Sequence, residues 1–335
     1  MKDFAFIQLE SGRYLCGLGP FRAQAQAPEE GTAFYRSSFS LDDPAPWKVP
    51  SEVFETGDLR VLLPENGATP LPEISWGGLD GAAVREVFDE ILRDIESGSL
   101  QKSVPVLAER GSLKSGEPAA LVKALSGVPE ALIGYGYREG GSGMIGLTPE
   151  ELFSLHDRVL STMALAGTAP RHEVGDFPND DKEIREHELV ADYLVEKLSA
   201  LGEVRRGQRR VLDLGTLIHF LTKIEVALDA ELPLDDLIKM MHPTPALGAC
   251  PRGDGALKQL QGYRDRLRVP GEFGAPFGAL HDGVFRCLVA IRNVSWDGGE
   301  VALPSGVGVV RGSRFDREWR ELALKRNSVK SLLGV

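Results

Sequence analysis

DKEIREHELVADYLVEKLSAL, residues 181–201, keeps a helical period over its whole length. Glu183, Glu186, Val190, Leu194, Leu198 and Leu201 share one stripe at i, i+3, i+4 spacing, which gives the helix an apolar face for a core. Asn179, Asp180 and Asp181 are N-cap candidates, and Gly202 follows the last turn. The stripe opens with two carboxylates, so acid lies at the N-terminal end of the face that turns inward. Buried carboxylates without compensation are costly, and this end of the helix therefore calls for cations.

Outward from that helix, ALIGYGY (131–137), GMIGLTP (143–149) and RVLSTMALAG (158–167) are strand-like runs parted by Gly, Pro and charged turns. RRVLDLGTLIHFLTKIEVAL (209–228) fits either period, and its Val211, Leu212, Ile218, Ile224 and Val226 favour strand. FRCLVAIRNVSW (285–296) and VALPSGVGVV (301–310) are expected to pair as strands, and KSVPVLA (102–108) reads as a short one. Helices are predicted at 82–97, with Val84, Val87, Phe88, Ile91, Leu92 and Ile95 inward, at 234–241, at 256–268, and at the C-terminus. In the last of these, Glu318, Glu321 and Lys325 share a face that continues through Val329 and Leu332. Strand clusters with a few long helices give an α/β (α+β) class without βαβ regularity. No GxGxxG or GxxxxGK[ST] is present to cradle a nucleotide phosphate. Residues 23–50, rich in Pro, Ser, Ala and acid, read as a loop-rich surface excursion.

The 335 residues carry 38 Lys+Arg against 49 Asp+Glu, a net charge of −11. That balance argues against nucleic acid and against an anionic membrane face as partners, and it requires the cations for any small anionic substrate to be concentrated locally. No apolar run approaches the ~18–20 residues of a membrane span. MKDFAFIQLESGR lacks a signal-like apolar core, and Cys16, Cys250 and Cys287 form no CxxC pair. A soluble, cytoplasmic protein with reduced thiols is expected. If Glu183 and Glu186 meet Glu318 and Glu321, four carboxylates would demand a divalent cation, and all-oxygen ligation suits a hard ion such as Mg²⁺. The plain alternative is two solvated helix faces, with i,i+4 pairs worth ~0.2–0.5 kcal/mol each.

Seven segments occur in a fixed order: LTPEELFSL (147–155), TMALAGTAPR (162–171), DKEIREHELV (181–190), HPTPALGACPR (242–252), VAIRN (289–293), SGVGVV (305–310) and EWRELALK (318–325). Together they resemble the chorismate-utilising enzymes, which include isochorismate synthases, salicylate synthases and the large subunits of anthranilate and aminodeoxychorismate synthases. The resemblance covers residues 80–333. It implies an anthranilate synthase component I-like fold, with two stacked, mainly antiparallel sheets flanked by helices in a single large domain. Residues 1–79 would be a short N-terminal part of the same fold and residues 80–335 the chorismate-binding catalytic core. It further implies Mg²⁺ held directly by Glu186 and Glu321, with Glu183 and Glu318 acting through water. Lys325 matches a contact to a substrate carboxylate. Arg292 with the backbone of Gly306 matches the clamp on the enolpyruvyl carboxylate, Gly308 of the same segment is a further substrate-binding residue, and Gly167 and Thr168 match backbone and hydroxyl contacts to the ring carboxylate. His219 matches a histidine lining the pocket, and it is as readily a satisfied core histidine.

Within the family, members differ in the nucleophile that attacks the ring. Glu150 in TPE matches the general acid for the departing 4-hydroxyl, and Lys102 aligns with the lysine base of water-using members. Pro105 distorts that lysine's strand and suggests an edge or a bend. Ala246 in HPTPALG fits a site that adds water at C2 and stops before eliminating pyruvate. Phe273 in GEFGAPFG offers only an apolar contact near the enolpyruvyl group. The resemblance thus points to isochorismate synthase. A salicylate synthase, an ammonia-using aminodeoxychorismate or anthranilate synthase-like enzyme, and a non-catalytic chorismate-binding subunit remain as alternatives. Menaquinone and siderophore biosynthesis are both compatible uses of the product. So is a monomer that hands the product to a downstream isochorismate-using enzyme.

Overall fold

A computed structural model describes residues 1–64, 69–127 and 129–335, so residues 65–68 of the N-terminal part lie outside the described residues. Among these, two antiparallel sheets of nine and ten strands stack on each other, and a third sheet has three short strands. Phe4–Glu10, Ile133–Glu139, Ser142–Thr148, Asn293–Asp297 and Glu300–Gly306 lie side by side in the nine-stranded sheet. Leu217–Leu228, Val159–Pro170, Glu151–His156, Val284–Val289 and Pro276–His281 do so in the ten-stranded one. Alternation puts Ala5, Ile7, Tyr135, Tyr137 and Met144 of the first sheet against Phe34, Phe277, Ala279 and Leu288 of the second.

The predicted helices form close to their expected limits. Helix α1, Gly81–Ser97, starts at Asp80, whose side chain accepts from the N–H groups of Ala82 and Ala83, and stops at left-handed Gly98. Helix α2, Asp181–Leu198, is capped by Asp180 and buries Glu183, Glu186, Val190, Leu194 and Leu198. Helices α3, Leu234–Met241, and α4, Asp254–Arg266, cover the same side of the ten-stranded sheet as α2. Helix α5, Phe315–Leu333, buries Glu318, Leu322, Arg326, Val329 and Leu333. Its buried stripe thus runs one position beside the expected one: Leu333 replaces Leu332, while Glu321 and Lys325 stand at the stripe's edge.

Three expectations change in detail. FRCLVAIRNVSW is not one strand. Val284–Val289 belongs to the ten-stranded sheet and Asn293–Asp297 to the nine-stranded sheet, with Ala290–Arg292 crossing between them. KSVPVLA breaks at Pro105, which has no N–H for a ladder. Lys102–Ser103 pairs in the small sheet and Val106–Ser115 in the large one. Residues 23–50 do more than loop over the surface. They contain Ala33–Arg36 and Trp47–Val49, which extend the ten-stranded sheet, and Trp47 is fully buried with its indole N–H donated to Asp235 at 2.9 Å. No helix of the described residues is long and apolar enough to cross a membrane.

Candidate active site

Three segments leave one sheet for another at the same place: 103–106, 290–292 and 306–309. A strand that changes sheets opens a gap in the ladder, and the cavity lies in that gap. Its wall brings together Glu150, Gly167, Thr168, Glu186, His219, Ala246, Phe273, Arg292, Gly306, Gly308 and Lys325, all of them expected from the sequence. Val104, Pro149, Leu165, Leu247 and Ile291, to which the sequence reading assigned no separate role, add apolar surface to it.

Arg292 is held in the left-handed region at φ +55°, a strained conformation for an arginine, because the chain turns there from one sheet into the next. Its Nη2 donates to His219 Nε2 at 2.8 Å, while its buried Nη1 has no hydrogen-bond partner among the described residues. That pairing sets the tautomer. Nε2 accepts, so His219 carries its proton on Nδ1, which points to Thr168 Oγ1 at 3.0 Å and Gly167 O at 3.1 Å. Burial, and then the charges of Arg292 and Lys325, hold the imidazole well below its usual range, so it stays neutral. His219 is therefore both a pocket residue and the support of Arg292. Across the cavity, the Lys325 ammonium donates to Gly306 O at 2.9 Å and pairs with Glu321 at 2.7 Å.

Glu150 is buried in the wall, its N–H bonded to Thr148 Oγ1. Burial pushes its carboxyl up to about 7, although Lys102, Lys325 and Arg292 all pull the other way. The group thus keeps its proton near neutrality. Lys102 is not on the wall. It is fully buried behind Glu186 and Gly308, its Nζ 3.0 Å from Glu186 Oε1. Gly308 makes that pair possible, since a Cβ there would lie 1.9 Å from Glu186 Oε1.

Glu183, Glu186 and Glu318 converge from α2 and α5, and a residue that the sequence reading did not single out stands among them. Lys182 Nζ lies 3.0 Å from Glu183, 3.2 Å from Glu186 and 3.4 Å from Glu318. Its spacing four residues before Glu186 was the available signal. Among the described residues, no three acidic, His or Cys side chains form a ready-made metal cluster. Burial would raise Glu186, but Lys102 and Lys182 outweigh it and hold the carboxyl at about 2. Burial raises Glu183 and Glu318 to about 7, with the other carboxylates adding to the rise. Both Glu318 oxygens are buried without a hydrogen-bond donor among the described residues, with the Lys182 ammonium 3.4 Å from Oε1 as an ion pair. Thr168 N–H donates to Glu183 Oε2 at 2.8 Å. His187, also unforeseen, fastens α2 to the sheet through Ala166 O and the Thr222 hydroxyl.

A cavity that sets Arg292, Lys325 and a carboxylate cluster around apolar walls is built to hold a small, multiply charged anion. Residues 78–334 match the family described as chorismate binding enzymes, and the chain belongs to that family. Isochorismate synthase MenF of Haemophilus influenzae is 29% identical over 204 residues, which are 58% of this chain and 46% of that protein. The chain spans about half the length of the curated relatives it matches. Among solved structures, MenF, the menaquinone-specific isochorismate synthase from Escherichia coli, superposes with a TM-score of 0.82 at 20% identity, covering 99% of this chain and 89% of that one. Anthranilate synthase component I from Streptococcus pneumoniae gives 0.67 at 16% identity, over 98% and 90%. These likenesses fix the fold as the anthranilate synthase component I type.

Proposed function

We propose that the protein is an Mg²⁺-dependent isochorismate synthase with residues 80–335 as its catalytic core, working in the cytoplasm, where its three buried cysteines stay reduced. The observation that carries this reading is the placing of Glu150, a buried carboxyl pushed up to about 7, on one cavity wall with Arg292 and Lys325. In the proposed reaction Lys102, freed from its pairing with Glu186 and in its neutral amine form, takes a proton from water, whose oxygen bonds to C2 of chorismate. The ring double bonds shift, and the C4–O bond breaks as Glu150 gives its proton to the departing hydroxyl. Water enters and water leaves, so the net change is an isomerisation. Arg292 and Lys325 bind the carboxylates of the substrate, and Phe273 and the apolar walls exclude bulk water.

The carboxylate set suits a hard divalent ion, and the unsatisfied oxygens of buried Glu318 fit such a guest. Glu186 and Glu321 would hold it directly, with Glu183 and Glu318 acting through water. When bound, Mg²⁺ supplies a fixed double charge against a substrate carboxylate.

Purified protein with chorismate and MgCl₂, without ammonium, is expected to yield isochorismate by chromatography, and EDTA should abolish the product. Salicylate with pyruvate would mean that Ala246 does not stop the reaction at addition. The burial of Lys102 behind Glu186 favours a second reading, chorismate binding without turnover, which that assay separates from the first. His219→Phe should raise KM tenfold or more with a smaller loss in kcat, since a hydrogen bond to a charged group is worth roughly 1.5–3 kcal/mol. His219→Gln, whose amide oxygen can accept from Arg292, should recover most of that loss.

A further inference from the structure

Lys182 occupies the middle of the carboxylate cluster from the first turn of α2, its ammonium within 3.4 Å of Glu183, Glu186 and Glu318. These are oxygens that a divalent cation would also use. Mg²⁺ sits about 2.0–2.1 Å from its oxygen ligands and keeps several waters, so an ammonium bonded to the same carboxylates competes for both space and charge. Opposite charge within a few ångströms of two buried cations is shared, not doubled, and their mutual repulsion in a poorly screened site is large.

The other cations around the cluster are fixed. Lys102 is fully buried between the small sheet and Glu186. Lys325 is tied to Gly306 O and Glu321. Arg317 stays at the rim, on Asp180 at 3.0 Å and Glu183 at 3.2 Å, with almost half its side chain exposed. Lys182 combines a central position with a side chain that is still 11% exposed. It follows the Asp180 cap by two residues at the end of a helix, and its four-carbon stem can swing toward solvent without moving the backbone.

We propose that Lys182 is an internal counter-cation that the divalent metal must displace, so that metal binding exchanges one cation for another. The inference rests on the reading that Glu183, Glu186, Glu318 and Glu321 hold a metal. Two consequences follow. Without metal, the ammonium keeps three buried carboxylates from repelling one another, so the cluster stays assembled. With metal, the affinity observed is the intrinsic affinity reduced by the cost of expelling Lys182.

The test is calorimetric titration of MgCl₂ into the wild type, Lys182→Met, and Lys182→Gln, with Lys197→Met as a control for losing one charge on the same helix. Lys182→Met and Lys182→Gln are expected to bind Mg²⁺ at least tenfold more tightly than the wild type, whereas Lys197→Met should change affinity less than twofold. In thermal unfolding, both Lys182 variants should melt below the wild type in EDTA and recover in saturating MgCl₂. Wild type that binds while the Lys182 variants bind no more tightly, or more weakly, would overturn the exchange and leave the metal site standing. Wild type that takes up no Mg²⁺ at all would overturn the metal reading itself. Should both variants fail to fold in EDTA, amine acylation of the wild type read by mass spectrometry decides the matter. Lys182 must become more reactive on adding MgCl₂, and unchanged reactivity refutes its displacement.

Discussion

Glu150→Gln is expected to lower kcat by about 10²–10⁴-fold, the usual contribution of a positioned general acid. KM for chorismate should stay within a few-fold, because Gln keeps the shape of the wall. The wild type should lose kcat/KM as pH rises past about 7, where Glu150 gives up its proton, and the variant should lack that limb. The same substitution should stabilise the protein. Folding raises this carboxyl from its ordinary 4.5 to about 7, so the native state holds the proton more tightly than the unfolded chain does. Stability therefore falls as pH rises from 4.5 through 7, and the full penalty is present above it. At about 1.4 kcal/mol per pKa unit, Gln should gain on the order of 3–4 kcal/mol at pH 8 and almost nothing below pH 4.5. Denaturant titrations at pH 4.5 and 8 check this. A variant no more stable than the wild type at pH 8 would show that Glu150 is not a strained acid, and its catalytic role would lose its physical basis.

Much of this arrangement was legible from residue patterns, because the inward faces of α1 and α2 follow from spacing alone. Val84, Val87, Phe88, Ile91 and Ile95 are buried as their period requires. The acids at the head of the α2 stripe are buried too, and with Glu318 they meet. Pro105 announced its bend through a missing N–H. What periodicity could not show is where a strand changes sheets. Val289 and Asn293 look like neighbours on one strand, yet the left-handed turn at Arg292 sends them into different sheets and carries the guanidinium into the cavity. Nor could it show the occupant of the acid cluster. Lys182 reads as half of a surface i,i+4 pair until α5 brings Glu318 over it. In each case the missing information is a contact between segments far apart in the chain.

Gly308→Ala is expected to leave the fold intact and remove the activity, with a loss of at least a hundredfold in turnover and a matching loss in Mg²⁺ affinity. The added methyl would sit 1.9 Å from Glu186 Oε1, 2.8 Å from its carboxyl carbon and 3.0 Å from Lys102 Cε. Glu186 must then move, and it cannot move freely, since it is buried and held between Lys102 and Lys182. Overpacking of this kind costs about 1–3 kcal/mol in stability, small enough for the sheets to survive. The chemistry is more sensitive, because one displacement disturbs both the carboxylate proposed to hold the metal and the lysine proposed as base. Gly306→Ala is the control. Its methyl would meet Val104 Cγ1 and Val106 Cγ2, each at 3.3 Å, which can yield by a few tenths of an ångström, and would lie in ordinary contact with Pro105 O at 3.5 Å. That variant should keep activity within about tenfold, as expected of a mildly overpacked wall. Activity kept in Gly308→Ala, with Mg²⁺ affinity unchanged, would mean that neither the Glu186 carboxylate nor its pairing with Lys102 takes part in the reaction. Lys102 would then have to be given up as the base, leaving Glu150 and the Arg292 clamp to define a chorismate-binding site alone.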